Sequence, residues 1–140
     1  MLSQKDPRWA DVSINGTKYT IKTDGCLITC LAEIAGITPA EVEDRINFNG
    51  ALVDWNSIDK IGLRLSKRID YYDNDIAKDV LKSGKFPIVR VDFDGNPRTA
   101  SDYHFVLFKG KGIMGDPIDG KDKPTSSYRI LNGMRIIEKI

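Results

Sequence analysis

The chain contains a single histidine, His104, and twelve residues further on an aspartate, Asp116, in the string GDP. Any step that needs an imidazole near neutral pH must use this one ring. The two residues are joined by FVLFKGKGIMG, whose middle residue is Gly110. A hairpin turning at Lys109-Gly110-Lys111 sets His104 and Asp116 directly opposite each other on one face of a sheet, with Cβ atoms about 4.5–5.5 Å apart. The carboxylate would then hold the ring and stabilise its protonated form. A register slip of one residue would send the pair to opposite faces.

The second reactive element is a sulfur. In IKTDGCLITCLAEIAG, Cys26 lies in the first turn of an apolar helix and Cys30 one turn deeper. A thiol attacks only as thiolate, and the N-terminal turn of a helix favours the anion through its dipole and free N–H groups. Gly25 removes side-chain bulk where a substrate would approach, and the Cys26 N–H points toward the space where an oxyanion would form. Cys26 is therefore the candidate nucleophile and Cys30 a packing residue. On one helix at i and i+4, the two Cβ vectors run nearly parallel, a poor arrangement for a disulfide. Two cysteines and one histidine also fall one ligand short of a structural zinc set. The pair is read as reduced and metal-free, with no cofactor implied.

Each residue taken alone has a structural alternative. A helical cysteine is often a small buried hydrophobe, and a lone strand histidine is often a satisfied, partly buried residue. GDP is a common turn, Asp24 suits a helix cap, and Gln4 with the following DPRW suits an N-terminal anchor built on Trp9. The functional reading comes from the conjunction of Cys26, His104 and Asp116.

These residues must be positioned by a small fold. The chain has 140 residues, enough for one domain, here 1–140, with a single core. Net charge is +1, from 21 basic and 20 acidic side chains, which leaves no electrostatic footprint for nucleic acid or an anionic membrane. The apolar runs are too short to span a bilayer, and MLSQKDPRWADV lacks the basic-then-apolar pattern of a secretory signal. The expectation is a protein in the cytosol at synthesis, or a domain cut from a larger chain.

DVSINGTKYTI reads as two short strands around Asn15-Gly16, with Thr23 or Asp24 capping the cysteine helix that follows and Gly36 stopping it. TPAEVEDRI carries a capping box, Thr38 to Glu41, with Pro39 at the first helical position. A short helix over DWNSIDKIG, a strand LRLSKRI and a helix DNDIAKDVLKSG complete the first half. From residue 86 onward the pattern changes to strands: FPIVRVDF, YHFVLFKG, GIMGD and MRIIEKI. Residues 119–127, DGKDKPTSS, read as a loop, either ordered or lid-like. Helices early and strands late predict an α+β fold with an antiparallel sheet.

The chain resembles the papain-like cysteine peptidases related to the bacteriocin-processing, double-glycine leader peptidases, especially their stand-alone bacterial and phage relatives. The resemblance rests on LSQKDPRWA, DGCLITCLAEI, DYHFVLFKG and IMGDPIDG, and spans nearly the whole chain. It implies N-terminal helices packed on a C-terminal antiparallel sheet, Cys26 as nucleophile, His104 as general base and acid, and Asp116 as orienting acid. It also implies that the side-chain amide of Gln4 completes an oxyanion hole beside the Cys26 N–H. In the leader peptidases the glutamine lies a few residues before the cysteine and glycine follows it. Here the Asn15-Gly16 segment intervenes and glycine precedes the cysteine, so leader-peptide specificity is not carried over. The implied partner is a peptide or peptidoglycan substrate, as in a phage lysin or cell-wall hydrolase. The alternatives are a processing peptidase for a peptide or protein precursor, and a catalytically silent peptide-binding module on the same scaffold.

Overall fold

In the computed structural model, residues 1–92 and 103–140 are described. Phe93, the end of the predicted strand FPIVRVDF, and Asp102, the start of DYHFVLFKG, lie outside them.

The first half supplies α1 (Ile21–Asp24), α2 (Cys26–Ala35), α3 (Pro39–Arg45), a small hairpin β1 (Phe48–Asn49) and β2 (Leu52–Val53), and a 3₁₀ helix, Trp55–Ile61. Strand β3 (Leu63–Ile69) and helix α4 (Asn74–Lys82) follow. The second half is β4 (Phe86–Asp92), β5 (Tyr103–Gly110), β6 (Ile113–Asp116), β7 (Lys121–Pro124), a 3₁₀ turn Thr125–Ser127, and β8 (Ile130–Lys139). Six strands form one sheet in the order β3-β8-β4-β5-β6-β7, with every neighbouring pair antiparallel. The chain is thus α+β, as its patterning predicts.

Local chemistry sets the helix ends. Thr38 accepts from the Glu41 N–H while Glu41 reaches back to the Thr38 N–H, and Pro39 opens α3 with no N–H to satisfy. Asp73 caps α4 by accepting from the N–H groups of Asp75 and Ile76. Gly36 closes α2 at φ 74°, a left-handed conformation that costs glycine nothing.

Period-two alternation divides the sheet between two cores. Phe105 and Leu107 face a core with Ile14, Ile21, Ile28, Leu31, Val42 and Ile58, which packs α2, α3 and the 3₁₀ helix onto Ile88 and Ile137. Val106 and Phe108 face a second core with Val89, Val91, Met114, Met134 and Ile136, which is covered by α4 through Ile76, Ala77, Val80 and Leu81. The fully buried larger side chains among them, such as Ile14, Leu31, Ile88 and Met134, contribute roughly 1.5–3 kcal/mol each. The sheet is therefore held from both sides.

Three expectations need correction. The Asn15-Gly16 turn forms, with both residues at positive φ, but the flanking segments share only one bridge, Ser13 to Thr20, and are not strands. Side-chain bonds within the turn, Ser13 Oγ to Thr17 O and Thr17 Oγ1 to Ile14 O, take the place of a ladder. Neither Thr23 nor Asp24 caps α2. Thr20 caps the separate turn α1 in a box with Thr23, and α2 begins afresh after Gly25. Finally, residues 119–127 are not a simple loop, because Lys121–Pro124 adds a sixth strand beside β6.

Candidate active site

Strand β5 runs further back than its partner β6. The β5–β6 ladder pairs Leu107 with Gly115, Phe108 with Met114 and Gly110 with Ile113, and β6 ends at Asp116. Among the described residues, 103–106 pair with β4 alone, and α2 comes against their other side: Cys30 Sγ lies 3.7 Å from the Phe105 carbonyl oxygen. The N-terminal end of a helix, the start of β5 and the end of β6 thus meet in one place.

Gly25 allows the helix to begin there. A Cβ at this position would stand 2.4 Å from the Ile21 carbonyl oxygen, inside any allowed contact. The Gly25 N–H closes α1 on Ile21 O, and its own carbonyl accepts the N–H and hydroxyl of Thr29, at 2.9 and 2.7 Å. Cys26 is then the first helical residue, half-buried, with an N–H that has no intrahelical acceptor. Cys30 has no exposed surface, and burial, followed by the charges of Cys26, Asp116 and Glu33, pushes its thiol well above the usual range. It is a packing residue.

His104 and Asp116 are joined by a bond of 2.6 Å between Nε2 and Oδ1. Both are buried, His104 at 4% exposure and Asp116 at 0%. The predicted register was off by two: the observed ladder, extended by one residue, puts Asp116 across from Val106 and diagonal to His104. An even slip preserves the face, and a diagonal neighbour remains within reach of a long side chain. The turn centre moved because Lys111 adopts φ 56° and Gly112 φ 70°, with a bulge between Phe108 and Gly110.

Asp116 Oδ1 also accepts the Ile118 N–H at 3.0 Å, while Oδ2 accepts the Tyr128 hydroxyl at 2.7 Å and the Lys123 ammonium at 3.2 Å. Burial alone would raise the carboxyl pKa. The His104 bond and charge, then the Ile118 and Tyr128 donors, outweigh burial and hold Asp116 well below the usual carboxylate range. An ionised Asp116 only accepts, so His104 Nε2 carries the proton in this bond and Nδ1 is the nitrogen left to exchange one with sulfur. Cys26 lies near enough to the ring to favour its protonated form. Burial lowers the affinity of His104 for a proton, but the Asp116 bond and the Cys26 bond and charge prevail, raising the pKa from 6.5 to about 9.

Gln4 comes back to this place from the start of the chain. Its backbone N–H donates to Pro117 O at 2.7 Å, next to Asp116, and its side-chain Nε2 donates to Lys22 O at 2.9 Å, within the turn before Cys26. The residue is 4% exposed, Oε1 has no partner, and the second hydrogen on Nε2 is uncommitted by these bonds. Trp9 is buried and its Nε1 donates to Ser3 O at 2.8 Å, so DPRW does anchor this segment. Asp24 accepts the Thr23 hydroxyl and caps nothing.

All four candidate residues, Gln4, Cys26, His104 and Asp116, thus lie on elements that converge. Sequence reasoning missed Tyr128 and Lys123. The strand that carries Lys123, KDKP, has no polar–apolar alternation to betray it; its ladder with β6 sets Lys121 opposite Asp116 and Lys123 opposite Met114. An open hollow lined by Glu43, Asp44 and Asp54, among others, contains none of these residues. Among the described residues no three His, Cys, Asp or Glu side chains gather as a metal-binding group, and no helix is long and apolar enough to cross a membrane. Comparison of the chain with family models, with curated proteins and with solved structures returns no match, so the chemistry of the site has to be argued from its own atoms.

Proposed function

We propose that the protein is a papain-like cysteine peptidase that hydrolyses an amide bond through Cys26, His104 and Asp116. The observation that carries this reading is the buried 2.6 Å bond from His104 Nε2 to Asp116 Oδ1, on a strand that packs beside the helix opened by Cys26.

In this mechanism His104 takes the Cys26 proton at Nδ1, giving a thiolate beside an imidazolium that Asp116 stabilises from the other nitrogen. The sulfur attacks the substrate carbonyl carbon. The oxyanion that forms is met by the Cys26 N–H and by the second Nε2 hydrogen of Gln4. His104 returns its proton to the departing amine, and the acyl-enzyme remains on Cys26. A water molecule, deprotonated by His104, attacks the thioester and releases the acid and the free thiol. Asp116 keeps its charge throughout and serves as orienter.

The substrate class proposed is a peptide of peptidoglycan, on the resemblance to phage lysins and wall hydrolases. The test is incubation of the purified protein with cell walls and muropeptides, with new amino groups and cleaved masses followed against the Cys26→Ala variant. Release by the wild type alone supports the reading. Intact muropeptides beside cleavage in a random peptide library would retain the peptidase and reject the wall substrate. No cleavage of either would reject both.

A further inference from the structure

Asp116 has more hydrogen-bond donors than an orienting acid requires. Its Oδ1 takes His104 and Ile118 N–H, and its Oδ2 takes Tyr128 at 2.7 Å and Lys123 at 3.2 Å. Lys123 reaches in from the edge strand β7, and its ammonium also touches Asp119 at 3.1 Å. Asp119 belongs to the turn of residues 117–120, and the Pro117 carbonyl of that turn holds the Gln4 N–H. Tyr128 is 7% exposed, so its hydroxyl meets the carboxylate away from water.

We propose that Lys123 and Tyr128 are positioning residues of this site: together they occupy Oδ2, fix the plane of the Asp116 carboxylate, and reserve Oδ1 for His104. The proposal rests on the peptidase reading above and assigns two residues that touch neither substrate nor the reacting atoms. Tyr128 supplies direction through a short hydrogen bond from a neutral hydroxyl to the carboxylate. Lys123 supplies charge, and through Asp119 it ties the acid to the turn that holds the segment carrying Gln4.

The charge has a definite sign of effect. Among the described residues, the groups facing this cluster are Cys26 and Cys30 from α2, His104 from β5, Asp119 from the turn, Lys123 from β7, and Tyr128. Lys123 is the cation that competes with the imidazolium for Asp116. It therefore tempers the pull of Asp116 on the ring, and without it the imidazolium would persist to higher pH.

The chain has one histidine, so the ring resonances of His104 can be titrated by NMR without ambiguity. The 140-residue wild type, Lys123→Met, Lys123→Arg and Tyr128→Phe would be titrated, and their kcat and KM measured on a cleaved peptide. The expected result is a midpoint for Lys123→Met above that of the wild type, with Lys123→Arg returning toward it. Both Lys123→Met and Tyr128→Phe should lose about ten- to a hundredfold in kcat at unchanged KM, the scale found when a partner that orients a metal-ligating histidine is removed. A wild-type midpoint together with wild-type kcat in Lys123→Met would overturn the proposal. If the wild type cleaves nothing, the peptidase reading fails while the titration still decides the clamp: a moved midpoint keeps it and an unmoved one removes it. Should Lys123→Met not fold, Lys123→Gln carries the same comparison.

Discussion

Replacing Asp116 by Asn tests the electrostatics of the site through stability alone. The carboxylate has no exposed surface and accepts four hydrogen bonds. An amide of the same shape offers one oxygen and one NH₂. If the NH₂ takes the Oδ2 side it meets the Lys123 ammonium, which cannot accept. If it takes the Oδ1 side it meets the Ile118 N–H and forces His104 to present a bare Nε2. Removing one partner of a buried ion pair costs on the order of 3–5 kcal/mol.

The pH dependence of that cost follows from two shifts of opposite kind. The pKa of Asp116 is depressed below 3.8 in the folded state, so its contribution is present above 3.8 and is lost as pH falls through the folded value. The pKa of His104 is raised from 6.5 to about 9, so its contribution is present below 6.5 and is lost as pH rises through about 9. The stability gap between wild type and Asp116→Asn should therefore be a dome, full between about pH 4 and 6.5 and shrinking on both sides. The alkaline side shrinks only in part, because Lys123 and Tyr128 still bind the carboxylate there. Urea denaturation of both proteins across a pH series measures it. A gap that stays flat with pH, or one that never exceeds about 1 kcal/mol, would refute the charged-pair description.

Other substitutions give sharper local outcomes. Iodoacetamide followed by mass spectrometry should label Cys26 in the folded protein and leave Cys30 unmodified, and Cys30→Ala should leave both labelling and turnover unchanged; labelling of Cys30 would exchange their roles. Gln4→Ala should raise the barrier by about 2.7–4 kcal/mol, read as a fall in kcat. It should also lower stability by about 1 kcal/mol in denaturation, because Lys22 O loses its donor. Gly25→Ala should cost about 1–3 kcal/mol and slow the labelling of Cys26, since the new methyl group must displace Ile21 from 2.4 Å.

Much of this fold was legible where one local rule sufficed. The Thr38–Glu41 box, the Asp73 cap and the strands β4, β5 and β6 follow from side chains that act within a few residues of each other. The His104–Asp116 encounter was legible because parity, not register, decides which face a strand residue takes, and the actual offset of two kept parity. What could not be read depends on distant partners. Strand β7 is made of Lys, Asp, Lys and Pro, with no β-forming residue among them, and exists because β6 offers it a ladder. Thr20 displaced Thr23 as a cap because the chain breaks at Gly25, a break that only the clash with Ile21 reveals. Lys123 and Tyr128 escaped notice because their purpose appears only once Asp116 is in place.

The two outermost strands have a bearing on how the protein behaves in a crowded solution. An open sheet invites foreign strands to add at its margins. Here one margin, β3, carries Lys67, and the other, β7, carries Lys121 and Pro124 and is four residues long. Cations repel a like copy, and proline offers no N–H to a newcomer. Both ends of the sheet are thereby poor templates for fibre growth, so concentrated samples of the folded protein should remain dispersed.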